Sequence, residues 1–483
     1  MTPHPLPLPL PLDAALAAAL ALFIKSGTLE VLAVLSLLIV LFLVFLILFE
    51  PGLEYEVKAP DVPIDSDQFV CLLAALTDAA VRRDSSAEVL ANGEVFYEAQ
   101  LEAIRNARSS VNLEAYIFYK GEVTRRFLDA LTERARAGVK VKMVIDAIGS
   151  FATRNDYFKD LRAAGGRVEW YQPIRWYTFK RFNNRTHREL LVVDGKVGFI
   201  GGAGFADQWL KPQKSGPRWR DTFVRVTGSL VVGLQTTFVE NWLEASGQIL
   251  SGAEYFPDCY DAGRAGNRAG RGDDRGDSGD GSGDGGDGGS DATNSPEELR
   301  SGLVVISSPG MGRSTRARVL FQALLASARK TIHINSPYFL PDANTRKELI
   351  RAAKERGVRV QIITPGPHAD HALTRASGRR RFGELLKNGV CISEYQPAMI
   401  HVKALIVDGV WSVIGSTNFD NRSFGLNDEV NLAAADRGLA RRLEEDFAND
   451  LSQSRTITYE DWQRRPLKER LTEALGAIIE RQQ

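Results

Sequence analysis

Cysteine is scarce in this chain. Cys71, Cys259 and Cys391 are odd in number and widely spaced over 483 residues. That excludes a disulfide framework and a paired CxxC metal site. A charge excess is missing too: Lys plus Arg and Asp plus Glu each total 60, so the formal net charge is zero. Nucleic-acid binders ordinarily carry a basic excess, because phosphate neutralisation dominates their affinity. No nucleic-acid partner is expected here. The opening stretch PHPLPLPLPLD, Pro3 to Asp13, has no Lys or Arg. A secretory signal peptide would start with basic residues and carry a shorter apolar run and a small-residue cleavage site.

The next distinctive segment is long and apolar. LEVLAVLSLLIVLFLVFLILF, Leu29 to Phe49, has Glu30 at its edge and no other charge, and Pro51-Gly52 ends it. As a helix it would measure about 31 Å, the thickness of a bilayer's hydrocarbon core. The expectation is an uncleaved single-pass anchor at 29–49, after a Pro/Leu/Ala-rich segment over 1–28. Lys25 and Lys58 flank it too evenly to set its orientation.

Beyond the anchor the chain alternates helix-like and strand-like patterns over 66–251 and again over 302–455. Residues 261–300 separate these stretches and include GRGDDRGDSGDGSGDGGDGGSD. Gly, Asp and Ser cannot bury enough apolar surface to offset chain entropy, so a disordered linker is expected. A helical tail is expected over 456–483.

The two α/β stretches repeat each other. VNLEAYIF (111–118) parallels IHINSPYF (332–339), and AGVKVKMVID (137–146) parallels RGVRVQIIT (356–364). WYQP (170–173) parallels EYQP (394–397). THRELLVVDGKVGFIGG (186–202) then parallels IHVKALIVDGVWSVIGSTN (400–418). The order is the same in both copies. The fold class expected is α/β: two duplicated halves, each a mostly parallel mixed sheet flanked by helices. A pseudo-twofold relation would bring His187 and His401 together at the joint.

Residues two apart on a strand share a face, so His401 and Lys403 project together. Asp408-Gly409 reads as a hairpin turn. Gly415, Ser416 and Asn418 put small donors near the same spot. Imidazole, ammonium, hydroxyl and amide together suit a phosphodiester oxyanion. A lone His-x-Lys is ordinarily a packed histidine beside a surface lysine; the repeat argues against that reading.

The second stretch resembles the phospholipase D superfamily signature H-x-K-x4-D-x6-G-S-x-N at His401, Lys403, Asp408, Gly415, Ser416 and Asn418. FDNRSFGLNDEVN with Glu429, and SPYFLPD at 336–342, resemble its cardiolipin synthase branch. The resemblance implies a membrane-bound phosphatidyltransferase acting on phosphatidylglycerol or a related phospholipid without metal or cofactor. It implies a phosphohistidine, with His187 as nucleophile and His401 as acid and base. Motif aspartates Asp194 and Asp408 brace the fold, and the downstream acids Glu429 and Asp221 orient the imidazoles. Asp221 could instead be a surface carboxylate paired with Arg218 or Arg220. His368, Asp370 and His371 lie in a Pro/Gly loop, and no metal is assigned to them.

The first copy departs from the signature. Glu189 stands where the family has lysine, and Gly204 where it has asparagine; Gly201 and Gly202 fill the small-residue turn. A carboxylate beside a phosphodiester repels it unless Lys403, Arg188 or another base neutralises it. Three readings stay open. Glu189 pairs with a base or touches the lipid's hydroxyls, or it changes donor or acceptor preference, or it weakens the site to a lipid-binding one. A phospholipase D hydrolase releasing phosphatidic acid is the alternative enzyme, since no residue decides between water and alcohol.

Overall fold

The computed structural model describes residues 27–43, 55–173, 183–214, 216–260, 297–309, 315–467 and 469–473. Residues 27–43 form a helix with exposed apolar side chains, Leu32, Leu35 and Phe42 among them. Residues 44–49 of the expected anchor lie outside the described residues, as do residues 261–296 of the expected linker. Among the described residues no helix is long and apolar enough to cross a membrane.

The body from residue 55 onward contains two eight-stranded sheets. In the first half the strands are β1 (Ser85–Ala91), β2 (Ser110–Ala115), β3 (Lys140–Asp146), β4 (Arg167–Tyr171), β5 (Glu189–Val193), β6 (Val197–Gly201), β7 (Thr222–Gly228) and β8 (Glu297–Glu298). Their spatial order is β4-β3-β2-β5-β6-β7-β1-β8. The second half has β9 (Gly302–Ser307), β10 (Thr331–Asn335), β11 (Arg359–Pro365), β12 (Cys391–Tyr395), β13 (Ala404–Val407), β14 (Trp411–Gly415), β15 (Glu429–Ala435) and β16 (Ser454–Ile457). Their order is β16-β12-β11-β10-β13-β14-β15-β9. The repeat read in the sequence is thus a repeat of topology.

The sheets are mixed, but they are mostly antiparallel where a mostly parallel arrangement was expected. Only β2, β3 and β4, and likewise β10, β11 and β12, run parallel. From β5 to β7 and from β13 to β15 each strand returns directly beside its predecessor, so those pairs are antiparallel. Short apolar runs look alike in both arrangements when both faces are covered. The expected boundaries shift as well. Helix Asp67–Thr77, capped by Ser66, buries Phe69, Val70 and Leu73 in the core of the second half. Glu297 and Glu298, inside the expected linker, pair with β1 as β8.

Three cores hold the body together. One packs outer helices of the first half on its sheet, and one does so for the second half. The third lies between the halves, where Val192, Ile200 and Val224 meet Ile406, Ile414 and Val430. Helices Leu230–Ser246 and Arg437–Ser452 contribute Leu234, Phe238, Leu443 and Phe447 to it. Gly233 permits close approach there: a Cβ would lie 2.8 Å from Val304 Cβ. This shared core clamps the β5–β6 and β13–β14 hairpins against each other, so the halves act as one rigid support for whatever their adjoining ends carry.

Candidate active site

Each hairpin turns on Asp-Gly in the left-handed region: φ is 54° at Asp194, 63° at Gly195, 55° at Asp408 and 63° at Gly409. This conformation matches the twist of the flanking strands. The aspartates also cap the chain entering β2 and β10. Asp194 accepts from the backbone N–H groups of Arg108, Ser109 and Ser110. Asp408 accepts from those of Arg329, Lys330 and Thr331. Both carboxylates sit at the end of the strand opposite the histidines, where they fix strand pairing and are remote from the imidazoles.

Strand register establishes which residues correspond between the halves. Glu189 lies opposite Gly201, and Ala404 lies opposite Ile414, so Lys403 is the counterpart of Glu189. Gly201 pairs with Phe223, and Gly415 with Asn431, so Asp221 is the counterpart of Glu429.

The acids cross between the halves. His187 Nδ1 lies 3.1 and 3.2 Å from the two carboxylate oxygens of Glu429, and His401 Nδ1 lies 2.9 Å from Asp221 Oδ2. The backbone enforces this exchange. His187 N–H donates to Asp428 O at 2.9 Å, and His401 N–H donates to Arg220 O at 2.7 Å. Each histidine segment therefore forms a parallel bridge with the acid-bearing segment of the other half. All four side chains are buried. With Nδ1–H donated to a carboxylate, each ring keeps Nε2 for chemistry.

The remaining neighbours differ between the halves. Ser416 Oγ donates to Glu429 Oε2 and accepts from Val430 N–H at 3.1 Å. In the first half Gly202 has no hydroxyl to offer, and Asp221 instead accepts from Trp209 Nε1 at 3.2 Å. Lys403 takes the space this leaves: a Cβ on Gly202 would lie 2.9 Å from Lys403 Nζ and 3.2 Å from Asp221 Oδ1. Lys403 Nζ lies 3.0 Å from His401 Nδ1 and 3.3 Å from Nε2. Burial lowers the basicity of Lys403, while Asp221, Glu429 and Glu189 oppose that. One ammonium thus feels the orienting acids of both histidines. Burial, and then Lys403, also lower the basicity of His401, against the pull of Asp221.

The expected arginine partners of Asp221 are engaged elsewhere. Arg218 pairs with Glu94, and Arg220 donates to Asp450 at 3.0 Å. Nor does Arg188 reach Glu189: it donates to Thr237 O, Glu240 and Ser308. Gly201 serves packing, since a Cβ there would meet the Phe223 ring at 2.6 Å. Asn418 is buried and its Oδ1 has no partner among the described residues.

The family model described as "Cardiolipin synthase, PLD-like domain" matches residues 101–214 and 321–451. The major cardiolipin synthase of Bacillus subtilis is 30% identical over 422 residues, covering 86% of this chain and 79% of that one. Cardiolipin synthase 1 of Staphylococcus epidermidis is 32% identical over 423 residues, covering 87% and 78%. The chain belongs to the cardiolipin synthase-like branch of the phospholipase D superfamily. It is an enzyme of the phosphatidyltransferase kind. The crystal structure of phosphatidylserine synthase from Haemophilus influenzae shares the fold, with a TM-score of 0.58 at 16% identity, covering 82% of this chain and 95% of that one.

Several residues around this phospholipase D-like centre were not singled out from sequence. The Tyr116 ring stands edge-on to His187 at 5.3 Å, and Trp209 and Trp219 flank His401 at 5.4 and 5.6 Å. Tyr338 lies 6.3 Å from His401 and donates to Asp370 Oδ2 at 2.6 Å. Asp370 also acts electrostatically on His401 and Lys403. The segment SPYFLPD carried a signal for Tyr338; the two tryptophans lie in the connection from β6 to β7, whose counterpart from β14 to β15 holds no tryptophan.

Proposed function

We propose that this enzyme transfers a phosphatidyl group onto a hydroxyl of phosphatidylglycerol or a related lipid, through a phosphohistidine. We further propose that a single N-terminal helix around residues 29–49 anchors it in a bacterial plasma membrane. The crossed pairs His187–Glu429 and His401–Asp221 around Lys403 carry this reading. They supply two imidazoles whose Nε2 atoms are not taken by their orienting acids, and one fixed cation, the set that displacement at a phosphodiester needs.

In the first step His187 Nε2 attacks phosphorus and the bond to the leaving glycerol oxygen breaks. His401 gives that oxygen the proton of its Nε2–H. In the second step His401 Nε2 takes the proton of the acceptor hydroxyl, whose oxygen attacks phosphorus as the P–N bond breaks. Lys403 offsets charge on the phosphoryl oxygens, and the anionic phosphodiester in turn favours the protonated His401 that the first step requires. One observation favours the reverse order of the histidines. Burial and Lys403 hold His401 toward its neutral form, which suits a nucleophile.

Purified full-length protein in phosphatidylglycerol vesicles should release glycerol and form cardiolipin. Phosphatidic acid as the only product would identify a hydrolase. Binding to the vesicles without turnover would identify a lipid-binding protein. Acid-quenched protein mapped for phosphohistidine assigns the nucleophile.

A further inference from the structure

Glu189 occupies the counterpart of the Lys403 position, yet it is 2% exposed and makes no ion pair among the described residues. Its Oε1 accepts two backbone N–H groups, from Tyr116 and Ile117, both at 3.2 Å. Its Oε2 is buried and has no partner among the described residues. A buried ionised oxygen with no donor is strongly disfavoured. The pattern fits a carboxylic acid, with Oε1 as the carbonyl oxygen and Oε2 carrying the proton.

Gly204 completes the arrangement. A Cβ there would lie 2.6 Å from Ile117 Cβ and 3.2 Å from Glu189 Oε1. The two departures from the family signature are therefore one substitution in physical terms. Without the side chain of an asparagine at 204, the carboxyl group can turn onto the amides of the loop that holds Tyr116 against His187.

We infer that Glu189 works as a neutral acid whose Oε2–H donates a hydrogen bond to a non-bridging oxygen of the bound phosphodiester, where the second half uses the ammonium of Lys403. This rests on the two-histidine reading above. The site then keeps its attraction for an anion despite holding a carboxyl group, because the group brings no charge. Its surroundings agree. Burial drives its pKa well upward, and Asp221 adds to this against the two amides and Lys403. Tyr97, on which Glu189 acts as it does on Lys403, is itself buried, with its pKa raised, and donates to Gly204 O at 2.5 Å. On the alkaline side, ionisation of Glu189 would remove a donor and add a negative charge beside the phosphate.

The test uses full-length wild type, Glu189→Gln and Glu189→Ala in phosphatidylglycerol vesicles. Glutamine keeps a carbonyl acceptor and an N–H donor. Glu189→Ala should lose about 10- to 100-fold in kcat/KM, and Glu189→Gln should recover most of that loss. The alkaline fall of kcat/KM should weaken by one proton in Glu189→Gln, leaving the fall that Lys403 contributes. Infrared difference spectra should show a protonated carboxyl band at neutral pH in wild type that is missing in Glu189→Gln, a readout independent of turnover. A Glu189→Gln variant as impaired as Glu189→Ala would overturn the inference, as would an unchanged alkaline limb or a wild type without that band. Phosphohistidine formation in wild type is the control: its absence would refute the two-histidine reading itself, whereas labelled wild type with a failed glutamine rescue would refute only the role of Glu189.

Discussion

If each acid serves the histidine of the other half, removing one acid's charge should impair the work of that histidine rather than of the histidine in its own half. Glu429→Gln is the sharpest perturbation. The carboxylate is fully buried and holds His187 Nδ1 with both oxygens while accepting from Ser416. Glutamine fills the same volume but loses the charge, and its amide nitrogen meets Ser416 Oγ, which must reverse its hydrogen bond. A hydrogen bond to a charged group is worth roughly 1.5–3 kcal/mol net, against about 1 for a neutral one. If that difference, about 0.5–2 kcal/mol, is lost mainly as His187 gains positive charge in attacking phosphorus, the step slows roughly 2- to 30-fold. Rapid-quench measurement of phosphohistidine formation reads this directly. Glu429→Gln should slow formation of the labelled intermediate, and Asp221→Asn should slow its transfer to the acceptor as well, because His401 gives a proton in the first step and takes one in the second. Should His187 label at the normal rate in Glu429→Gln and slowly only in Asp221→Asn, the crossed assignment is wrong.

Gly202→Ala should crowd Lys403 Nζ and Asp221, which a Cβ would meet at 2.9 and 3.2 Å, and lower kcat/KM about tenfold or more without lowering Tm greatly. Asp408→Ala strands three backbone N–H groups and should cost roughly 1–3 kcal/mol of stability, visible in denaturant midpoints. Glu114, buried beneath Thr186 and Asn241, has its pKa pushed up from 4.5 to about 7, chiefly by burial. A raised carboxyl pKa means the folded state holds a proton the unfolded chain has released. Its contribution is therefore complete below about 4.5 and lost as pH rises toward 7, roughly 3 kcal/mol in all. Denaturation of Glu114→Gln at pH 5 and pH 8 should show correspondingly less dependence on pH than wild type.

What the sequence conveyed and what it hid divide along physical lines. Local geometry was legible: Asp-Gly demands a left-handed turn, and both hairpins have it at 194–195 and 408–409. The duplicated order of motifs was legible too, and it returned as one topology built twice. Strand direction was not, because Leu190 to Val193 and Leu405 to Val407 are buried throughout and give the same apolar run in either arrangement. Nor could a linear pattern show that Phe69 and Leu73, ahead of the first half, complete the core of the second. The exchange of acids was hidden for a related reason. His187 and Glu429 are 242 residues apart, and only the docking of two sheets decides whether an acid turns to its own histidine or to the other.

That exchange bears on why duplication suits this chemistry. A half folded by itself would hold a histidine without its acid and an acid without its histidine, each at a rim that the other half must cover. Glu429 and Asp221 are 0% exposed and each pairs with the histidine of the other half, and an uncompensated buried carboxylate is costly. The acid–imidazole pairs therefore help specify the docked arrangement as well as orient the rings. Once docking is fixed, the halves need not stay chemically alike. Lys403 reaches across to Gly202 and Asp221, so its charge already serves both sides of the shared centre. The position of Glu189 is thereby released from supplying a second ammonium. A carboxyl group held on the Tyr116 and Ile117 amides can persist there because repulsion of the substrate depends on its ionisation, and burial opposes ionisation.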